Sequence, residues 1–392
     1  MPSKGRKQTA PGIENRKIIK SHTTIKSINT MKTTLKTILS ICIFIIVSRA
    51  NIFAQGCVAI RSTGGICAMN EHPDSTATST GFWLYNSNDR YYKSFRHFVG
   101  KAEQYQRFTL HNNVINKVFT EDNSLTRVFN SRWSLTLDVP FADNSRSQVS
   151  SGTRFSTHSF GVGDISVTGY YWLLNPAKAT KGNIQVGLGV KLPTGESNYQ
   201  DYFLNGATGA RTLGPVDQSI QLGDGGTGVE LNVNAYYNFT HSFGFYGNFF
   251  YLASPRDVNP TLRSSSPASA TTIAATGDVL SVPDQYLIRF GAGLAVKKFD
   301  FSLGVRDDCL PVHDLIGGSD GFRRPGYIIS AEPGVSYRIK NISLYAYVPI
   351  AIIRDRTQSV PDIRTTQITG TYTHGDAAFA DYVVNVGVTV KF

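Results

Sequence analysis

Charge is thin in this sequence. Asp, Glu, Lys and Arg make up 17% of its 392 residues, where an ordinary soluble globule carries about 25%. Long apolar runs are missing too. Beyond residue 54 nothing approaches the roughly eighteen consecutive apolar residues of a membrane-crossing helix, which argues against a helical membrane protein. The formal charge of +11 first suggests nucleic acid. Residues 1–54, however, hold ten Lys/Arg and one acid, so +9 of the +11 lies there and +2 remains for everything after. The basic excess belongs to the leader, and no nucleic-acid partner is expected. Catalytic signatures are also absent. No Gly-x-Ser-x-Gly elbow occurs, and His72, His97, His111, His158, His241, His313 and His374 show no ligand spacing. Gly161-Val-Gly163-Asp164 has the look of a nucleotide loop, but no helix follows to cradle a phosphate. Neither an enzyme nor a cofactor or metal site is expected.

Cysteines number four. Cys42 lies inside a secretory signal: Lys32 and Lys36 precede an apolar run over 38–47, and small residues follow near Ala54-Gln55-Gly56. That run is too short to span a bilayer, and cleavage after Ala54 or Gly56 fits. Residues 1–30 read as a patternless extension upstream of Met31, 31–54 as the signal, 55–79 as a periplasmic or lumenal segment and 80–392 as the folded body. A basic cytoplasmic arm is the other reading of the first thirty residues. Cys57 sits where a lipoprotein acceptor would, but Ala54 stands where that motif wants Leu. A disulfide between Cys57 and Cys67 in an oxidising compartment is the better expectation. Cys309 has no evident partner.

What the chain does have is a period of two, repeated over segments of about ten residues, the length a tilted strand needs to cross hydrocarbon. At the C-terminus Tyr382, Val384, Val386, Val388, Val390 and Phe392 share one face, with Asp381, Asn385, Thr389 and Lys391 on the other. Across 228–239, Val229, Leu231 and Val233 oppose Glu230, Asn232 and Asn234; 132–141 and 183–193 alternate likewise. Strands are expected near 80–94, 110–120, 125–141, 160–173, 182–193, 228–239, 243–253, 285–297, 299–308, 326–339, 341–353 and 380–392. Short links alternate with long Ser/Thr/Gly-rich ones near 142–159, 194–227, 254–284, 309–325 and 354–379. The turn of the second pair is placed at Glu121-Asp-Asn-Ser124. This predicts an all-β fold: a transmembrane antiparallel up-and-down barrel of about twelve strands, with short periplasmic turns and long extracellular loops. Pro140, Pro193, Pro255 and Pro311 fall near outer strand ends, where a missing N–H is tolerated, with Pro349 late in the eleventh strand. Trp133, Phe141, Tyr171, Trp172, Tyr237, Phe239, Phe243, Tyr286 and Phe299 sit near strand ends, as interfacial girdles would.

Gly161-Val-Gly-Asp-Ile-Ser166, Gly187-Leu-Gly-Val-Lys-Leu-Pro-Thr-Gly195 and Ser131-Arg-Trp-Ser-Leu-Thr-Leu-Asp-Val-Pro-Phe141 together resemble the outer-membrane proteins grouped as the MetA-pathway of phenol degradation family. The resemblance covers the layout of 80–392 and about 65 residues closely. It implies an outer-membrane barrel of a Gram-negative-type bacterium that passes small solutes, aromatic or hydrophobic ones among them. It assigns no functional residues. A final strand ending in Phe392 resembles the signal read by the barrel-assembly machinery.

Parity places Asp138, Asp164, Lys191, Glu230, Arg289, Arg306 and Asp308 inside such a barrel, toward its outer half. A tight turn at Lys297 and Lys298 sets Arg289 opposite Arg306, with Asp308 the expected acid between them. Such a lumen cluster selects a solute or simply rigidifies the barrel, and a rigidifying role is the commoner one. Gly187, Gly189, Gly291, Gly293 and Gly304 leave room for a path, or for strand curvature. The predicted function is passive passage of small solutes; the alternative is a non-conducting barrel that presents its long loops.

Overall fold

The computed structural model describes residues 81–392. The leader, the 55–79 segment and the Cys57/Cys67 pair lie outside the described residues. The wall is a closed 12-strand antiparallel barrel. Its strands are β1 (Phe82–Val99), β2 (Ile115–Val128), β3 (Trp133–Ser150), β4 (Ser166–Trp172), β5 (Gly182–Lys191) and β6 (Gly228–Asn238). They continue with β7 (Phe243–Ala253), β8 (Gln285–Val296), β9 (Phe299–Leu310) and β10 (Gly326–Ile339). Then come β11, in two pieces (Ile342–Tyr347 and Ile350–Asp355), and β12 (Ala377–Lys391). Each strand pairs with its neighbours in sequence, and β12 returns to β1, from Leu84 opposite Lys391 to Phe98 opposite Ala377. Closure leaves no open edge in a medium without water to satisfy one. No described helix is long and apolar enough to cross a membrane.

The faces are inverted relative to a water-soluble protein. Outward Leu188 and Leu303 are 63% and 64% exposed, while inward Thr168 and Glu332 are 1% and 0% exposed. Burial of apolar side chains in water cannot favour that arrangement; contact with acyl chains can. Aromatic rings crowd the outer surface at the short-turn end. Phe239 stands 5.1 Å from Tyr237 and 5.2 Å from Phe245, and Phe299 stands 4.6 Å from Tyr337. Trp172 departs from the girdle reading: it shares the inward parity of Ser166 and Thr168 and packs edge-on against lumenal Tyr236 at 6.0 Å.

The early strands are shifted from the sequence expectation. Glu121-Asp-Asn-Ser124 is no turn but the middle of β2, with Glu121 paired to Asp89 and to Phe141. Four polar residues in a row resemble a turn in any protein whose core is apolar; here a polar lumen accepts every second one. The turn lies at 129–132, where Asn130 Oδ1 accepts the N–H groups of Arg132 and Trp133 at 2.9 and 3.0 Å. The 142–159 link is likewise no loop. β3 runs on to Ser150 and pairs with Thr153–Val162 as a hairpin rising beyond the wall. Pro140 marks the place where the partner of β3 changes from β4 to that hairpin, so its missing N–H breaks little.

The other long links fold over the mouth as small elements. These are the hairpins Gln200–Leu204/Arg211–Pro215 and Val258–Leu262/Val279–Ser281, and the helix Val360–Thr369. That helix carries a Ser359/Asp362 capping box and ends on Gly370 at φ 68°.

Candidate functional site

The seven charges placed inside the barrel do not form one ring. Arg289 lies directly across from Arg306, but the acid between them is Glu332 of β10. Its carboxylate is 2.9 Å from Arg289 and 3.3 Å from Arg306. Asp308 binds Arg306 through two bonds of 2.6 and 2.7 Å. Glu332 follows from parity, since Ser330, Glu332, Gly334 and Ser336 alternate inward, yet only the pairing of β9 with β10 brings it next to the arginines. Far around the wall, Lys191 bonds Asp164 at 3.1 Å and also Asp224. Asp164 further accepts the Gly195 and Asp224 N–H groups at 3.0 and 3.2 Å, so this pair fastens the 192–227 segment to the barrel. Glu230 accepts from Thr168 at 2.9 Å, and Asp138 stands across from Ser124 and Ser166.

The glycine-lined space is occupied by rings. Tyr170, Tyr246 and Tyr345 each face a glycine on the next strand: Gly187, Gly291 and Gly387 respectively. A side chain at any of these glycines would meet the opposing ring at 2.3–2.6 Å. Each tyrosine therefore lies flat over the bare backbone opposite, which covers weak strand positions and narrows the lumen. Buried Tyr246, Tyr345 and Tyr347 pack together, and the Arg289 guanidinium lies 5.4 Å from the Tyr347 ring. The middle of the barrel is thus filled by paired charges and rings.

The outer half of the β11–β12 seam is different. The lower piece of β11 pairs with β12 from Ile342 to Tyr347, but its upper piece touches β12 by ladder only at Ile350, opposite Tyr382. Val348-Pro349 interrupts the strand, and a register shift follows between Ile329 and Ser330 of β10. Above Tyr382 the Arg354 side chain reaches across instead, donating to the Ala380 carbonyl at 3.0 Å and to Asp381 at 2.6 Å. Asp381 also binds Arg96, which is held by Glu103. Ala377, Ala378, Phe379 and Ala380 are buried on both faces, and Phe98 meets Phe379 edge-on at 5.5 Å with Ile328 alongside. The ladder is thus interrupted only between Ile350 and Arg356, where backbone pairing resumes with Gly100 through bonds of 2.7 and 2.9 Å, and an apolar cluster lies behind that gap.

Above the mouth, Asp217 ties two elements together. Arg324 grips it through two 2.7 Å bonds, and Arg146 lies at 3.3 Å. Burial alone would raise this carboxyl; the two arginines and the Ser219 N–H outweigh burial and hold it well below the usual carboxylate range. A depressed carboxyl contributes stability above its unfolded pKa, and that stability disappears as pH falls through the folded value. The cap is therefore expected to hold at neutral pH and loosen only as pH falls below the ordinary carboxylate range. Amide exchange of residues 211–220 followed against pH tests this, and Arg324→Ala should move the loosening to higher pH.

No family model matches this chain, and no curated protein does. Solved structures match its fold. An outer membrane channel from Pseudomonas putida F1 is 10% identical, covering 82% of this chain and 98% of its own, with a TM-score of 0.52. The translocator domain of the autotransporter NalP from Neisseria meningitidis is 15% identical over 83% and 93%, at 0.44. The CymD monoaromatic hydrocarbon channel is 11% identical over 86% and 95%, at 0.41. The first of these shows the shared architecture. The chain has the fold of an outer-membrane β-barrel.

Proposed function

We propose that this barrel resides in the outer membrane of a Gram-negative-type bacterium and passively admits small hydrophobic solutes, as a transporter and not an enzyme. One observation carries the proposal: the β11–β12 ladder stops at Ile350 and Tyr382, in front of the Phe98/Phe379 cluster, while the mid-lumen is filled. A solute dissolved in the lipid can pass through the side of the wall without breaking a continuous ladder, whereas a polar solute meets paired charges across the axis. The P. putida protein is described as a channel, and the MetA-pathway resemblance of 131–195 points to the same class. In this orientation the short turns face the periplasm, and the strand ending at Phe392 is the segment offered to the assembly machinery. The seven inward charges act here as fasteners of the wall and the cap rather than as a solute filter.

The test is uptake of a labelled aromatic hydrocarbon by cells carrying the protein with Arg354→Cys and Ala380→Cys, joined by a short bismaleimide. Cys309 is buried and stays out of the reaction. Joining the seam should return uptake to the level of cells without the protein, while each single-cysteine variant treated alike should keep transporting. Undiminished uptake with the seam joined would refute the lateral route. The filled middle favours a second reading, a non-conducting barrel, which predicts no uptake from the unmodified protein either.

A further inference from the structure

The short-turn mouth under β6–β10 holds a cavity of about 410 Å³, within the size range of small-molecule sites, roughly 300–1,000 Å³. Its walls are Tyr236 and the buried Tyr246. Gly293 keeps it open. At Gly293 a side chain would meet only the Phe301 carbonyl, at 3.8 Å, so the space beside that position is empty rather than filled by a ring. The rim carries Lys297, Lys298, Arg338 and Lys340 against one lining carboxylate, Asp300, which is 3.4 Å from Arg338.

The placement of these lysines adds a second observation. Lys297 and Lys340 each open a tight turn with positive φ, 59° and 51°. That is the left-handed region, where glycine or asparagine sits at lower cost. Two adjacent hairpins therefore hold a cation in a conformation that does not favour it, both at the mouth of the same cavity. Cations gathered around an aromatic-walled hollow raise the local concentration of anions. The walls then favour an anion that brings a ring of its own.

We infer that this vestibule binds a small organic anion with an aromatic body, its acidic group between Lys298 and Lys340 and its ring against Tyr236 and Tyr246. Nothing in this inference depends on solutes crossing the barrel. It is read as equilibrium binding, so its failure and a failure of the transport reading are separate results.

Benzoate, its neutral analogue benzamide, and sulfate are the probes, titrated by calorimetry into the purified full-length barrel in neutral detergent. Heat-modifiable gel migration verifies that each variant is folded. Benzoate should bind about tenfold more tightly than either benzamide or sulfate. Lys298→Ala with Lys340→Ala should weaken benzoate about tenfold. Gly293→Leu, which fills the hollow and leaves every cation in place, should abolish benzoate binding. Absence of benzoate binding by the unaltered barrel overturns the inference, as does undiminished binding by Gly293→Leu. Sulfate binding as tightly as benzoate would reduce the mouth to a general basic surface and overturn it as well.

Discussion

Glu332→Leu is expected to destabilise the barrel by about 3–5 kcal/mol, the usual result of removing one partner from a buried ion pair. Glu332 is fully buried and is the shared acid of two arginines that face each other across the β8–β9 ladder. Without it Arg289 keeps its charge, because a guanidinium does not deprotonate, and its nearest neighbour of opposite sign is gone. Arg306 keeps Asp308. The loss should therefore fall mainly on Arg289, and Glu332→Leu combined with Arg289→Met should recover most of it. An apolar pair of similar volume often matches a buried ion pair in stability. Midpoints of urea unfolding, followed by heat-modifiable migration, give both numbers. A single variant as stable as the parent would show that Arg289 is neutralised by another group.

Asp314→Ala should produce the second large effect, confined to the cap. Arg323 and Asp314 form a two-pronged pair, 2.6 Å on each side, with both side chains wholly buried. Burial pushes the Asp314 carboxyl up, and Arg323 pulls it back. Burial outweighs Arg323, and breaking such a buried pair singly should cost about 3–5 kcal/mol. Asp314 also accepts the Asp284 N–H at 3.0 Å, and Asp284 in turn holds Ser254 and Leu315. Losing Asp314 should loosen the start of the 311–325 link from the neighbouring 254–284 link, while Phe322 stays bonded to Val279 and Ser281. Limited proteolysis should then cut within 311–325 while the wall still migrates as a folded barrel. Protection equal to the parent would mean that the Phe322 backbone bonds to Val279 and Ser281 and the bonds of Asp320 to Asp257 and Arg364 hold the link without Asp314.

Both variants concern residues whose importance local sequence could not show. Glu332 and Asp314 are single acids in stretches with no motif, and their weight comes from arginines that strand pairing or loop closure brings beside them. The lateral seam was equally hidden. The sequence placed Pro349 late in the eleventh strand, whereas it splits that strand in two. That β12 keeps to β1 there, while Arg354 spans the opening, depends on two register shifts in β1 between Tyr92 and Arg96. No periodicity records such a shift. The displaced turn at 121–124 shows the opposite failure: its residues are locally turn-like, and only a polar interior makes them strand.

By itself the sequence determined the class of fold. A period of two with apolar residues on one side is a local property, and once apolar residues face lipid every strand must find a neighbour on both edges, which forces a closed wall. What lies inside that wall was decided only by tertiary structure. Whether an inward charge is paired, or an inward glycine left open as at Gly293 or covered as at Gly291, is settled by the residue opposite. That partner is chosen by register between strands, and a shift of one residue exchanges lumen for lipid.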